Sequence, residues 1–176
     1  GAHGIANSLP SIIDACASLQ EKGVSLLLVG TGQEKEKLIQ YTQNQGYKNI
    51  HFLPAINKLS IPTFLRQMDV LYVGLQRQSL FRFGISPNKI FDYMMAAKPI
   101  IQAIDSGNDL IGEAKCGITV EPENTSAIAE AIVQLTDLTP EERQKLGENG
   151  HQYVLKHHTY NVLAQQFVNA INYAGN

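Results

Sequence analysis

The feature that most constrains the fold is a regular alternation of short, largely apolar runs with segments of helical periodicity. The apolar runs are Ser25–Val29, Ile50–Leu53, Val70–Val73, Pro99–Ile104 and Gly117–Val120. Helical spacing is found at Lys35–Gln45, Ile61–Gln67, Ser86–Ala97, Asn108–Ala114, Thr125–Leu135 and Pro140–Lys156. Apolar strands separated by helices are typical of a parallel sheet covered on both faces. We therefore predict a doubly wound, Rossmann-like α/β fold that binds ligands at the carboxyl ends of its strands.

Composition narrows the classes of function. A chain of 176 residues with 44% hydrophobic residues fits one domain with its own core, residues 1–176. The formal net charge of −2 gives no general attraction for nucleic acid or anionic lipid, so any anion site must be local. No apolar run approaches the roughly 18 residues of a membrane span. We expect a cytoplasmic segment in which Cys16 and Cys116 are buried thiols.

The stretch from Ser86 to Ile101 predicts a helix that receives an anion and is followed by a buried strand. Ser86 is expected to cap the helix and Pro87 to occupy its first position, with Lys89 in the first turn. Free backbone N–H groups, the positive end of the helix dipole and an ammonium would then converge. Asp92, one turn later, is suited to accept hydrogen bonds from ribose hydroxyls. The alternative for Asp92 is a surface pair with Lys89, worth about 0.2–0.5 kcal/mol.

The two ends of the sequence suggest a fragment. Gly1-Ala2-His3-Gly4 reads as a loop that follows a strand, although no strand precedes it. The region from Tyr153 to Tyr173 reads as a long final helix with apolar residues on more than one side. We expect a longer protein, whose absent part supplies a first strand, a second domain, or both.

Five motifs occur in a characteristic order: Gly30-Thr31-Gly32, His51-Phe52-Leu53-Pro54, Met68-Asp69-Val70-Leu71, Phe91 to Pro99, and Cys116 to Pro122. In this order they resemble the C-terminal domain of GT-B glycosyltransferases of family 4, especially bacterial enzymes of capsule, lipopolysaccharide O-antigen and exopolysaccharide synthesis. The resemblance implies a nucleoside-diphosphate sugar donor and transfer to a glycan or lipid-linked acceptor on an absent N-terminal domain. It implies no required metal and no cofactor, and the sequence contains no Asp-x-Asp metal motif. The full protein would act in the cytoplasm or at the inner face of the membrane.

Pattern and resemblance together predict the site residues. Donor binding is assigned to Gly1, His3, Gly4, Gly30, Gly32, Phe52, Leu53, Pro54, Arg77, Gly84, Ile85, Ser86, Pro87, Asn88, Lys89 and Asp92. Catalysis is assigned to Lys89, Asp92 and Arg82. Phe52 to Pro54 match the place where the family packs the base. Gly30 and Gly32 either let the backbone approach a ligand or form a tight turn with positive φ.

The sequence also departs from the family pattern. Asp92 stands where Glu is usual, and Phe81 stands where a first acid is expected. The first loop lacks the usual Arg and Lys, which leaves His3 and backbone N–H groups and shifts the charge to Arg77, Arg82 and Lys89. These departures keep two other functions open, a non-catalytic nucleotide or sugar-phosphate module and a GT-B-type sugar-nucleotide epimerase.

Other residues receive structural interpretations. We expect Asn108 to cap a helix, with a sugar contact as the alternative. Tyr93, Met94 and Met95 have helical spacing and are expected in the core. His51, His151, His157 and His158 have no partners at metal-ligand spacing and are expected to be structural or exposed.

Overall fold

A computed structural model describes residues 1–174 as strands and helices in alternation. The strands are β1 (Leu26–Val29), β2 (Ile50–Leu53), β3 (Leu71–Gly74), β4 (Ile100–Ala103) and β5 (Gly117–Val120). The α-helices are α1 (Leu9–Ala17), α2 (Lys35–Asn44), α3 (Ile61–Arg66), α4 (Asn88–Met95), α5 (Leu110–Ala114), α6 (Thr125–Asp137), α7 (Pro140–His157) and α8 (Tyr160–Ala174). Short 3-10 helices occupy Ile5–Asn7, Gln20–Lys22, Lys58–Ser60 and Ser79–Phe83.

All strand pairs are parallel, and they form two sheets. β1 pairs with β2, and β4 lies between β3 and β5. The segment 1–6 connects the carboxyl ends of the two sheets. Ala2 forms a parallel bridge with Thr31, just past β1, and the Ala6 carbonyl accepts a 2.9 Å hydrogen bond from the Gln76 N–H, just past β3. The predicted doubly wound α/β class is confirmed.

Two apolar clusters cover the sheets. In the first, α1 and α6 bring Ile13 and Ile128 against Ile101 of β4. In the second, α4 and α5 bring Met94 and Ile111 against Ile100 of the same strand. Neighbouring residues of β4 thus point into opposite clusters, as the pleat of a strand buried on both faces requires.

Most core predictions hold. Met94 is fully buried and Tyr93 partly so, and Cys16 and Cys116 are buried free thiols whose pKa burial raises to about 12. The prediction for Met95 was wrong, because its side chain is 42% exposed at the end of α4.

The C-terminal region also differs from prediction. The expected single helix from Tyr153 to Tyr173 is divided, because α7 ends at His157 and α8 begins at Tyr160. Large apolar side chains on α8 are 43–93% exposed, namely Tyr160, Leu163, Phe167, Val168, Ile171 and Tyr173. Among the described residues, no helix has the length and apolar character needed to cross a bilayer.

Gly147 of α7 gives a test of the packing. A Cβ at this position would lie 2.0 Å from the Ala97 carbonyl oxygen. Gly→Ala in a helix normally stabilises by about 1 kcal/mol, but we expect Gly147→Ala to lower the free energy of unfolding by about 1–3 kcal/mol through overpacking. Urea denaturation measures the change. The exposed neighbour Glu148 is the control, since Glu148→Ala should stay within about 0.5 kcal/mol of wild type. A stabilised Gly147→Ala variant would contradict the packing of α7 on the end of α4.

Candidate functional site

The first loop, residues 1–7, crosses the glycine turn, residues 30–32, at the carboxyl end of β1. The Gly1 amine donates to the Val29 carbonyl, and the His3 N–H donates to the Thr31 carbonyl at 2.8 Å. The His3 carbonyl in turn accepts a 3.0 Å hydrogen bond from the Glu34 N–H. The first loop is therefore held along its backbone, as a further strand would be.

The glycine turn is shaped by this crossing. Gly30 has φ +140°, and a Cβ there would lie 1.8 Å from the Gly1 carbonyl oxygen. Gly32 has φ +157°, and its Cβ would lie 2.4 Å from the His3 carbonyl oxygen. Both glycines thus combine positive φ with a close approach, and the approaching group is the backbone of the first loop. Their predicted contact with a donor stays a prediction.

Lys89 brings an ammonium from α4 to the first loop. Its Nζ donates to the Asn7 Oδ1 at 3.2 Å, and the Asn7 side chain also donates to the Ala2 carbonyl at 3.0 Å. Lys89 forms no ion pair with a carboxylate anywhere in residues 1–174. Partial burial lowers the pKa of Lys89. A half-buried cation without a counterion, at the start of a helix, strongly favours an anionic ligand.

Asp92 lies one turn after Lys89 in α4. Its side chain is exposed and makes no hydrogen bond or ion pair within the described part of the chain. The alternative prediction of a surface pair between Lys89 and Asp92 is therefore wrong for this structure. The Asp92 carboxylate remains available to a ligand.

The start of α4 is displaced by one residue from its predicted position. Helical conformation begins at Asn88, and Pro87 occupies the N-cap position with an extended backbone. Ser86 is exposed and makes no capping hydrogen bond, so the predicted Ser86 cap was wrong. Neither flanking side chain therefore competes for the first N–H groups of α4. The Ile90 N–H donates to the Pro87 carbonyl at 3.0 Å, which leaves the N–H groups of Asn88 and Lys89 without an acceptor in the described residues.

Asn108 fixes the loop that leads into α4. Its Oδ1 accepts from the Ile85 N–H at 2.8 Å, and its Nδ2 donates to the Ile85 carbonyl at 2.9 Å. The helix cap predicted for Asn108 is instead Asp109, whose Oδ1 accepts from the Gly112 N–H at 3.0 Å. Gly84, beside this contact, has φ +94°. Asn108, in the loop after β4, thus fixes the backbone of the predicted site residues Gly84 and Ile85.

The two predicted arginines have different surroundings. Arg77 donates to Asp105 at 2.8 Å and to Glu121 at 2.7 Å, so carboxylates after β4 and β5 neutralise its charge. Arg82 is exposed, with its guanidinium 4.7 Å from the centre of the Phe83 ring and no carboxylate partner among residues 1–174. Of the two, Arg82 is the one with charge available for an anion.

His3 points into the protein. The residue is 3% exposed, and its ring lies edge-on to that of Phe52 with 6.2 Å between the two ring centres. Its Nδ1 is buried without a hydrogen-bond partner in the described residues. Burial lowers the pKa of His3, and the positive charges of the Gly1 amine, Lys35 and Lys89 lower it further. The imidazole is therefore neutral at pH 7 and adds no charge to the site.

Two residues of this region, Asn7 and Lys35, were missed by sequence reasoning. Lys35, in the first turn of α2, donates from Nζ to the Gly30 carbonyl and to the Leu53 carbonyl, each at 2.8 Å. The position of Lys35 shortly after the glycine turn was the available signal. Leu53 and Pro54, the predicted base contacts, are exposed beside it at the end of β2.

A cavity of about 350 Å³ opens beside the first loop. Its walls include Gly4, Glu34, Gln76 and Glu123. Of the predicted site residues only Gly4 lines it, and Lys89 is not part of its walls. No group of three or more His, Cys, Asp or Glu side chains in residues 1–174 is arranged to hold a metal ion.

The family model described as glycosyl transferases group 1 matches residues 5–137. The chain belongs to this family. Comparison with curated proteins gives no match. The C-terminal domain of a glycosyl transferase group 1 family protein, LpcC from Francisella tularensis, is similar with a TM-score of 0.74 and 20% identity, over 91% of this chain and 84% of that one.

Two larger solved structures share the fold. HepE from Anabaena, solved with UDP-glucose, has a TM-score of 0.79 and 18% identity over 98% of this chain and 47% of its own. TarM from S. aureus, solved with UDP, has a TM-score of 0.79 and 13% identity over 96% of this chain and 34% of its own. This chain therefore spans between a third and a half of those two proteins, and it has the doubly wound fold of GT-B domains.

The buried imidazole of His3 predicts a dependence of stability on pH. Because the pKa of His3 is lower in the folded state than its ordinary value of 6.5, the unfolded chain binds more protons as the pH falls below about 6.5. Stability should then decrease between pH 7 and pH 5, and His3→Gln should flatten this decrease. Urea titrations at several pH values measure it, with exposed His51→Gln as the control. An unchanged slope in His3→Gln would contradict the burial of the ring.

Proposed function

We propose that this group 1 domain binds a nucleoside-diphosphate sugar, with UDP as the nucleotide, for a GT-B glycosyltransferase of family 4. The observation that carries the proposal is the Lys89 ammonium, which is half-buried at the start of α4 and held by the neutral Asn7 without a carboxylate partner among the described residues. The solved HepE and TarM structures, which contain UDP-glucose or UDP, support the choice of nucleotide.

In the proposed reaction, the bond between the sugar and the diphosphate breaks, and an acceptor oxygen forms the new glycosidic bond. The Lys89 ammonium and the backbone N–H groups of Asn88 and Lys89 meet the charge that develops on the leaving diphosphate, with Arg82 as a second cation. Groups that act on charge formed in the transition state lower the barrier more than they tighten ground-state binding. Asp92 accepts hydrogen bonds from the ribose hydroxyls.

The donor sugar would lie against the segment before α4. Gly84 and Ile85, held by Asn108, lead into Ser86, Pro87 and Asn88, where the exposed side chains of Ser86 and Asn88 supply sugar contacts. Gly1, Gly4, Gly30 and Gly32 bring the first loop and the glycine turn close to the same region. We place Arg77 at the edge of the donor site and not against the diphosphate, because its two carboxylate partners already neutralise its charge.

We further propose that an N-terminal domain holds the glycan or lipid-linked acceptor, as in cell-surface polysaccharide synthesis at the inner face of the membrane. The space between the two sheets supports an additional strand upstream of residue 1. Leu26 and Gly30 donate toward β2, and Leu71 and Leu75 donate toward β4. By the alternation of a parallel ladder, the N–H groups of Leu27, Val29, Tyr72 and Gly74 then face the space between β1 and β3.

Amide hydrogen exchange tests this strand. In a chain that includes the preceding residues, the amides of Leu27, Val29, Tyr72 and Gly74 should exchange at least tenfold more slowly than in residues 1–176. The amides of Leu26 and Leu71, which are already bonded, serve as internal controls. Equal exchange of the four amides in both chains would contradict the inserted strand.

A non-catalytic sugar-phosphate module is the second candidate function. Phe81 occupies the place expected for the first acid, and it packs beside the second apolar cluster. No carboxylate is supplied at that position. A turnover assay distinguishes the two functions, because only the enzyme releases UDP from a UDP-sugar in the presence of acceptor, and the metal-independent proposal expects this release to persist in EDTA.

Substitutions in α4 test the nucleotide site. We expect Lys89→Ala and Asp92→Ala each to raise the Kd for UDP about tenfold or more, since a charge-assisted hydrogen bond contributes about 1.5–3 kcal/mol. Asn7→Asp should weaken UDP binding more than Asn7→Ala, because the new carboxylate would pair with Lys89. Isothermal titration calorimetry with UDP, GDP and ADP measures these changes.

The control is Lys58→Ala, which removes an exposed lysine from a 3-10 helix and should leave the Kd unchanged. Unchanged UDP affinity in both Lys89→Ala and Asp92→Ala, or the absence of any nucleoside diphosphate binding by the wild-type protein, would refute the proposed function.

A further inference from the structure

Lys35 occupies an unusual position at the ends of two parallel strands. Its Nζ donates to the carbonyl of Gly30, just past β1, and to the carbonyl of Leu53, the last residue of β2, both at 2.8 Å. No carboxylate pairs with it in the described residues, although Glu34 and Glu36 are its close neighbours in sequence. The ammonium is therefore committed to backbone carbonyls.

The neighbouring lysine of the same helix behaves differently. The Lys37 side chain is 80% exposed and pairs with Glu34 at 3.4 Å. Both lysines lie within one turn of α2, so they share chain position and charge but differ in contacts. Lys37 is thus a matched control for the contacts of Lys35.

The Leu53 carbonyl is the point at which the end of β2 is tied to β1. It accepts a 3.2 Å hydrogen bond from the Gly30 N–H as well as the shorter one from Lys35. Leu53 and Pro54 are exposed directly after this point. Without the ammonium, the longer backbone bond alone would fix the carbonyl of Leu53.

Through its bond to Gly30, the Lys35 side chain also links the end of β2 to the first loop. Gly30 is covered by the Gly1 carbonyl, and Phe52 of β2 lies edge-on to the His3 ring. A displacement of Leu53 relative to Gly30 would therefore open the contact between β2 and the first loop. Lys35 prevents this displacement from the side of α2.

We propose that Lys35 is a positioning residue for nucleotide binding, which fixes Leu53 and Pro54 relative to the glycine turn as the surface against which the base lies. This inference rests on the proposed function, since it assigns the base to the end of β2. It separates two tasks, because Lys89 meets the phosphates while Lys35 acts only through the backbone that meets the base.

Two probes separate these tasks in binding titrations. UDP contains both base and diphosphate, whereas inorganic pyrophosphate contains only the part that Lys89 is proposed to meet. We expect Lys35→Met to raise the Kd for UDP at least tenfold and to leave the Kd for pyrophosphate within about twofold of wild type. Lys35→Arg should keep UDP binding within about threefold, because a guanidinium can donate to both carbonyls.

Two controls test whether the variants are folded and whether the effect is specific to Lys35. Lys37→Met should leave both affinities unchanged, and thermal unfolding of each variant sets an assay temperature at which all are folded. Equal loss of UDP and pyrophosphate binding in Lys35→Met, or no loss of either, would overturn the positioning role. Wild-type protein that binds neither probe would instead refute the proposed function, on which the inference depends.

Discussion

The close crossing of the first loop over the glycine turn is the contact on which the rest of the site depends. No side chain fits between Gly30 and the Gly1 carbonyl, or between Gly32 and the His3 carbonyl. Because the loop is pressed onto the end of β1, the Asn7 side chain is held by the Ala2 carbonyl of the same loop and offers its Oδ1 to Lys89 of α4. Lys89 of α4 bonds to the first loop and Lys35 of α2 bonds to Gly30 in the glycine turn, so two helices place their ammonium groups on the two partners of this crossing.

The distribution of charge along the carboxyl edge follows from these contacts. Lys35 and Lys89 bond to neutral oxygens, whereas Asp105 and Glu121 are engaged by Arg77. On one side the strand ends therefore carry lysines that pair with no carboxylate in the described residues, and on the other side one guanidinium is shared by two carboxylates, which leaves that network net negative. A chain with a formal net charge of −2 can in this way present a local site for a diphosphate.

Local patterns predicted the architecture well, because strand and helix alternation depends on residues close in sequence. The positions of the strands along the chain, the burial of Met94 and the presence of Lys89 in the first turn of α4 all followed from such patterns. The errors occurred where distant residues decide the outcome. Asn108 was assigned to its own helix although it binds Ile85, and Lys35 was overlooked because its two acceptors lie on different strands. Ser86 failed as a cap because the extended backbone at Pro87 delays the start of the helix.

The ion pairs of Arg77 make the carboxyl edge of the sheet formed by β3, β4 and β5 sensitive to salt concentration. One exposed guanidinium, which follows β3, holds carboxylates that follow β4 and β5, and its own N–H donates to Glu123. Exposed ion pairs weaken as salt screens them. The segments after three adjacent strands should then loosen together, as one unit, when ionic strength rises.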